Sequence, residues 1–309
     1  MNLFFDMFAI FFLIFLGFLG WRFFWITERS LTRLLFYIII PVVICKSVMN
    51  ASLWSEWFIL PFLFFILACS ISLFSYFLSW YFFDDATRKL IWFASGQGNY
   101  LFFGMSLALL FVWSDAVTIV VAIWLGFAFF ENTLGMYLAS STKHSLSLKN
   151  WLKNILKLPV LYASIFGLLL RAFDFQLSGL FLTVGNYFTG AVVIIGMLLV
   201  WISFAHVDRS DFDFKFVAYM LSVKFLIWPL FIVFLIVLDQ YFFHLFYENI
   251  YRVFFIIAMK PLGVNSIVIA QHRNLDYHKM AVAVFSSTLL AFFLSPLVYM
   301  LFDYLHFFW

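Results

Sequence analysis

The stretch Met259-Lys260-Pro261-Leu262-Gly263-Val264-Asn265 interrupts an apolar run over residues 249–270 near its middle. Proline has no backbone N–H and disfavours helix at the residue before it, so a helix through this run must break there. A second stretch, Ser95-Gly96-Gln97-Gly98-Asn99 continuing to Gly104, interrupts the run over residues 90–113 in the same way. If these runs cross a membrane, such breaks are tolerated only where they are packed in protein or line a cavity.

The composition indicates that the chain does lie in a membrane. Of its 309 residues, 66% are hydrophobic and 11% are charged, and the mean hydropathy is +1.07. A soluble domain is roughly 45–50% apolar and about 25% charged. So few charges cannot cover a water-exposed surface. The composition therefore predicts an integral membrane protein and excludes a soluble enzyme, a nuclear protein and a disordered scaffold.

Other ligand classes find no support in the sequence. The net charge of +3 is too small to suggest a nucleic-acid partner. No Cys or His spacing typical of a metal site is present, and Cys45 and Cys69 lie in apolar runs as expected of reduced core thiols. No phosphate-binding Gly-x-x-x-x-Gly-Lys-Ser/Thr motif occurs, so nothing indicates ATP. We predict no metal and no cofactor.

Apolar runs long enough to span a bilayer predict an all-α protein with ten transmembrane helices. A spanning helix needs about 20 mostly apolar residues. The predicted spans are residues 3–21, 31–50, 57–83, 90–113, 116–139, 155–170, 177–204, 214–238, 249–270 and 280–305. A polar, basic loop over residues 140–154 separates a first five-helix repeat, residues 1–139, from a second one, residues 155–309.

The distribution of basic residues predicts the orientation. Thirteen of the 18 Lys and Arg residues fall in connections after odd-numbered spans, whereas only Arg171 and Arg252 fall on the opposite side. Cytoplasmic loops are enriched in Lys and Arg. Both termini are therefore expected outside the cytoplasm, with the protein in the cell (inner) membrane.

Five spans per half place the two halves in opposite orientations, as in an inverted repeat. Pro61 lies in the third span and Pro229 in the eighth, and the two breaks follow at similar distances: Asn99 is 38 residues after Pro61, and Asn265 is 36 residues after Pro229. Paired breaks in corresponding spans of inverted repeats are the best sequence indication of a transport site.

The breaks predict a site for an anion. The second half of each broken helix would present the positive end of its dipole at mid-membrane depth. Asn99 and Asn265 both donate and accept hydrogen bonds and suit such a site. The alternative is that Gly98 and Gly104 only permit close helix packing and that the asparagines only cap freed helix ends.

The motifs resemble those of the auxin efflux carrier family, which includes plant PIN-type carriers and bacterial permeases. The resemblance covers nearly the whole chain. It rests on four segments: Leu31 to Pro41, Gly98-Asn99 with Gly104, Lys224 to Pro229, and Pro261 to Asn265 with Ala270. It implies ten helices with crossed fourth and ninth helices. It also implies a scaffold of helices one, two, six and seven, with the other helices moving in an elevator-like manner.

Charged residues inside spans are costly and are usually functional. Glu131 and Lys224 lie at similar predicted depths, so we expect an ion pair or a proton-titrating carboxylate held by Lys224; a purely structural pair is the alternative. Lys260 adjoins the second break. It either attracts an anionic substrate or extends its ammonium into an aqueous cavity.

Together these features predict a secondary transporter of a small organic anion, working by elevator-like alternating access. The predicted substrate-binding residues are Asn99, Asn265, Gly98, Gly104, Pro261 and Lys260. The sequence is compatible with a proton or a sodium ion as the coupling ion, and with a homodimer in the bilayer. A channel is the alternative, and an intramembrane enzyme is less favoured because no paired intramembrane Asp, His-Glu-x-x-His or Gly-x-Ser-x-Gly occurs.

The orientation is testable with reporter fusions. A fluorescent protein that folds only in the cytoplasm should give no signal when fused after Trp309, because that end is predicted outside. The same reporter inserted between residues 140 and 150 should fluoresce. The reverse pattern would overturn both the orientation and the assignment of the basic loop.

Overall fold

The computed structural model describes residues 3–26, 28–49, 54–111, 116–135, 156–175, 179–204 and 212–304. In these ranges the protein is helical and contains no strand, which confirms the predicted all-α class. The helices are α1 (Leu3–Phe24), α2 (Glu28–Leu34), α3 (Ile40–Met49), α4 (Trp54–Ser79), α5 (Asp85–Ser95), α6 (Met105–Phe111), α7 (Ala116–Phe130), α8 (Pro159–Ala172), α9 (Gly179–Phe204), α10 (Phe214–Ser222), α11 (Trp228–Leu238), α12 (Glu248–Ala258), α13 (Asn265–His272) and α14 (Tyr277–Tyr304). The predicted loop at 140–154 lies outside the described residues.

Several helices continue through π-helical turns, in which the backbone hydrogen bond reaches one residue further than in an α-helix. These turns are Leu35–Ile39, Tyr100–Gly104, Glu131–Gly135, Val223–Ile227 and Asp239–Phe243. Two of them end two residues before Pro41 and Pro229. Since proline cannot donate to the carbonyl four residues earlier, the hydrogen-bond ladder is locally disturbed there.

Six stretches of the described helical structure are long and apolar enough to cross a membrane. They are Arg29–Met49, Trp57–Ser79, Ala116–Gly135, Gly179–Ile202, Phe214–Phe243 and Tyr277–Val298. Two further apolar helices, Ile10–Phe24 and Pro159–Ala172, are shorter. The runs predicted as the fourth and ninth spans are each divided into two helices, so neither half alone has spanning length.

The outer surface is apolar, as expected of helices that face lipid. Leu226, Leu230 and Phe234 follow one another at intervals of four residues and are 61%, 66% and 61% exposed. Residues four apart lie on one face of a helix. An apolar stripe of this kind on the span Phe214–Phe243 would be costly in water and is favourable in hydrocarbon.

The helices pack in two groups. One group contains α1, α2, α3, α8 and α9, and the other contains α4 to α7 and α10 to α14. Fewer contacts join the groups, chiefly between α3 and α7 and between α9 and the turn Tyr100–Gly104. This division places both interrupted helices in the second group.

A glycine brings α4 and α7 into close contact inside the second group. A Cβ atom added at Gly126 would lie 2.3 Å from the carbonyl oxygen of Pro61, well below a normal contact distance. Close beside this contact, the buried Phe64 of α4 packs against Phe127 of α7 and Phe254 of α12, with ring centroids 5.7 Å and 5.0 Å apart. The small residue therefore lets two backbones touch and anchors the helices around the first break.

Gly126→Ala should destabilise the protein, because the added methyl forces α4 and α7 apart; overpacking typically costs about 1–3 kcal/mol. Gly190→Ala in α9 is the matched control, since a Cβ there would meet nothing within 4 Å. We expect a lower midpoint of thermal unfolding in detergent for Gly126→Ala only. Equal midpoints for the two variants would contradict this packing.

Candidate functional site

The structure contains both of the interruptions that the sequence predicts. The first lies between α5, which ends at Ser95, and the turn Tyr100–Gly104 that leads into α6. The second lies between α12, which ends at Ala258, and α13, which begins at Asn265. Each predicted asparagine therefore stands where the second half of its helix begins.

The two non-helical segments cross in direct backbone contact. The Asn99 N–H donates a hydrogen bond to the Pro261 carbonyl oxygen at 2.9 Å. Gly263 lies directly against Gly98, because a Cβ on Gly263 would be 3.1 Å from the Gly98 carbonyl oxygen. A Cβ on Gly98 would be 2.5 Å from Cε of Lys260. Because both positions are glycine, the two non-helical segments can approach closely enough to form this backbone hydrogen bond.

The side chain of Asn99 is held in one orientation. Its Oδ1 accepts a hydrogen bond from the Phe103 N–H at 3.3 Å and so caps the second half of the helix. This contact fixes Nδ2 as the outward-facing donor. Nδ2 is buried and has no hydrogen-bond partner among the described residues.

Gln97 and Ser266 form a second link between the breaks. The Ser266 hydroxyl donates to the Gln97 Oε1 at 2.9 Å, and the Gln97 Nε2 lacks a well-formed hydrogen bond within the described structure. Gln97 is not among the site residues predicted from the sequence. The available signal was an amide side chain inside a break at mid-membrane depth.

A small cavity lies at the crossing and holds about 30 Å³ of free space, enough for an ordered water molecule. Asn99 and Asn265 both line it, together with Gly98 and Glu131. The described residues that line it are Phe36, Gln97, Gly98, Asn99, Tyr100, Leu101, Phe102, Trp124, Phe127, Glu131, Gly263, Val264 and Asn265. Residues from both halves of the chain therefore meet in one shared space.

Two predicted site residues have packing roles beside the cavity instead of lining it. Pro261 is buried and provides the carbonyl that accepts from Asn99. Gly104 is also buried, and a Cβ there would lie 3.2 Å from the side chain of Ile257. Both residues support the crossing, but neither faces the free space.

Lys260 is fully buried and does not line the cavity. Its ammonium donates to the Ile257 carbonyl at 2.9 Å, at the C-terminal end of α12. Aromatic rings surround it, with Nζ 3.5 Å from the ring centroid of Trp228 and 4.1 Å from that of Tyr100. The charge thus neutralises a negative helix end within an aromatic cage. In this arrangement its ammonium is bound by the protein itself and is not presented to the cavity.

Lys224 does not form the predicted ion pair with Glu131. Its ammonium donates to the Ser95 carbonyl at 3.0 Å and to the Gln97 carbonyl, and the indole N–H of Trp228 also donates to Ser95 at 2.8 Å. The first break leaves carbonyl groups at the end of α5 without helical partners. These acceptors bind the ammonium, which is why it is not available to the carboxylate.

Glu131 lies on the cavity and is only partly buried. It begins the turn Glu131–Gly135 that continues α7. Its carboxylate faces the side-chain amides of Asn265 and Gln97. No ion pair to Glu131 occurs within the described part of the chain.

Residues 139–299, slightly more than half of the chain, match the family model described as membrane transport protein. The chain belongs to this family of membrane transport proteins. Membership confirms the resemblance to auxin efflux carriers, without distinguishing a bacterial branch. It also agrees with a protein that is not an enzyme. No curated protein matches the chain.

The part that matches the membrane transport protein family includes only one of the two breaks. It contains Lys224, Pro261 and Asn265, whereas Asn99 and Glu131 precede it. The geometry links the two parts, since both sets of residues meet at the same crossing.

Proposed function

We propose that this membrane transport protein is a secondary transporter that moves a small organic anion across the membrane by alternating access. The observation that carries the proposal is the cavity between Asn99 and Asn265 at the crossing of two interrupted helices. Family membership supports transport, and the chemistry of the cavity supports an anion.

Hydrogen-bond donors at the crossing favour a ligand that carries acceptor oxygens. Asn99 Nδ2 is a buried donor without a partner in the described structure, and Gln97 Nε2 faces the Glu131 carboxylate without a well-formed hydrogen bond to it. Leaving such a donor unpaired costs about 1–3 kcal/mol, which an accepting ligand would recover. A carboxylate offers two such oxygens and a negative charge.

The helix dipoles favour the same charge. At each break the negative C-terminal end of the first half is occupied by a lysine ammonium, Lys224 for α5 and Lys260 for α12. The second halves begin at Asn99 and Asn265, on the cavity. The positive helix ends are thus left for an anion.

The division into two groups of helices supports an elevator-like motion. Of the described residues that line the cavity, only Phe36, in the turn that joins α2 to α3, comes from the first group; the others belong to the second group. If the second group moves as a rigid body, nearly all of the residues that line the cavity move with it relative to Phe36. At about 30 Å³ the cavity is too small for an organic anion, so we infer that it widens in another conformation.

The same proposal includes ten transmembrane helices arranged as two inverted five-helix repeats, in the inner membrane, with both termini outside. Two observations support this arrangement: the breaks lie in corresponding spans of the two halves, and they meet at one cavity. The shorter helices Ile10–Phe24 and Pro159–Ala172, and the two divided runs, would complete the set of ten.

Asn99→Asp tests the site with little change in shape. An aspartate retains the oxygen that caps Phe103 but replaces the donor with a second negative oxygen. Uptake of radiolabelled pyruvate or succinate into proteoliposomes should fall at least about tenfold, as expected when a donor to a charged ligand becomes a repelling acceptor. Asn265→Ala should also abolish uptake, with membrane levels near normal.

Asn249→Asp, at the exposed start of α12, makes the same chemical change away from the cavity and should transport normally. Unchanged uptake by Asn99→Asp and Asn265→Ala would remove the cavity from the transport path.

A further inference from the structure

Among the described residues that line the cavity, Glu131 alone carries a carboxylate, and this group opposes the binding of an anion. Glu131 shares the lining with Asn99 and Asn265, and the free space between them is about 30 Å³. A bound carboxylate would therefore lie in close proximity to the Glu131 carboxylate. Two carboxylates that share a site away from bulk water repel each other strongly, and one of them takes up a proton.

The buried lysines do not neutralise Glu131. The ammonium of Lys224 is bound by the Ser95 and Gln97 carbonyls, and that of Lys260 by the Ile257 carbonyl and its aromatic cage. What faces Glu131 instead are the neutral amides of Asn265 and Gln97.

The elements packed against α7 and its turn bring no other cation to Glu131. The Tyr100 hydroxyl donates to the Gly96 carbonyl at 3.4 Å, and its ring stacks on Phe127. Arg252 of α12 pairs with Glu248 on the same helix at 3.0 Å. Helix α5 also contacts the turn, since a Cβ on Gly135 would lie 3.2 Å from the Phe93 ring, but its Arg88 and Lys89 pair with Asp85 on the same helix. The remaining titratable groups with described side chains are Cys69 and Tyr76 of α4, Cys45 and Lys46 of α3, and Tyr251 of α12, and none of them forms an ion pair with Glu131.

We propose that Glu131 binds a proton when the anion occupies the cavity, so that the protein transports the proton and the anion together. The inference rests on the proposed function, since it assumes that an anion binds at the crossing. The proton comes from water on the side to which the cavity is open and binds a carboxylate oxygen of Glu131. It leaves to water on the opposite side with the anion, and no other bond changes.

The location of Glu131 suits this role. Glu131 is partly exposed and lines the cavity, so a proton can reach it along the route of the substrate. It also follows α7, which belongs to the same group of helices as both breaks, so it moves with them. A monoanion and its proton would then cross with no net charge.

Proteoliposomes that contain a fluorescent pH indicator measure both fluxes. For the wild-type protein, inward transport of radiolabelled pyruvate should acidify the interior, and uptake should fall by about tenfold per pH unit once the external pH exceeds the pKa of the coupling group. Glu131→Gln keeps the shape and removes the charge. It should take up pyruvate without acidification, at a rate that changes less than about twofold between pH 6 and pH 8, because the group that titrates is gone.

Asp85→Asn is the matched control, because Asp85 is an exposed carboxylate at the start of α5, paired with Lys89 at 2.8 Å. It should retain the wild-type acidification. Protein-free liposomes correct for passive entry of the undissociated acid.

A binding measurement covers the case in which Glu131→Gln fails to fold. Calorimetry of pyruvate binding to the wild-type protein at pH 8, in two buffers of different ionisation enthalpy, should show uptake of about one proton per pyruvate, since a carboxylate ionised at that pH must be neutralised.

Three results would overturn the inference. The first is pyruvate binding to the wild-type protein without proton uptake. The second is acidification by Glu131→Gln equal to that of the wild type. Both of these results leave the proposed function intact. If the wild-type protein neither binds nor transports pyruvate or succinate at any pH, the proposed function fails and the inference fails with it.

Discussion

Hydrocarbon offers no partner to a free backbone group, and this constraint explains how the interrupted helices are arranged. Each unsatisfied N–H or C=O in the bilayer is costly, so a break in one helix must be satisfied by another part of the protein. Here the breaks satisfy each other: the Asn99 N–H bonds to the Pro261 carbonyl, and Gly98 lies against Gly263. The residues that break the helices are also the residues that permit the crossing.

The same constraint determines the charge preference of the crossing. Lysine ammonium groups occupy the negative ends of α5 and α12, whereas the positive ends that begin at Asn99 and Asn265 border a cavity in which the Asn99 amide N–H has no partner among the described residues. An anion is the ligand that complements such a surface. Glu131 opposes it, and a bound proton would remove that opposition. The preference for an anion and the coupling to a proton would then both depend on which groups bind the free helix ends at the two breaks.

Sequence patterns predicted where the helices break, because Pro and Gly act locally on the backbone. Chain symmetry also predicted that Asn99 and Asn265 would share one space. The partners of Lys224 were not predictable: equal depth suggested Glu131, whereas the carbonyls freed by the first break compete for the ammonium and bind it. The cage around Lys260 and the Ser266–Gln97 hydrogen bond depend on side-chain directions across the crossing, which linear spacing does not encode.

Chemical cross-linking of the two asparagine positions tests the central claim that both halves of the chain meet at one cavity. Asn99→Cys and Asn265→Cys would be combined in a protein whose Cys45 and Cys69 are replaced by serine, with a protease site inserted between residues 140 and 150. After treatment with a short bifunctional thiosulfonate and cleavage, the fragments should stay joined until reduction. Fragments that separate before reduction, each modified on its own cysteine, would contradict the claim.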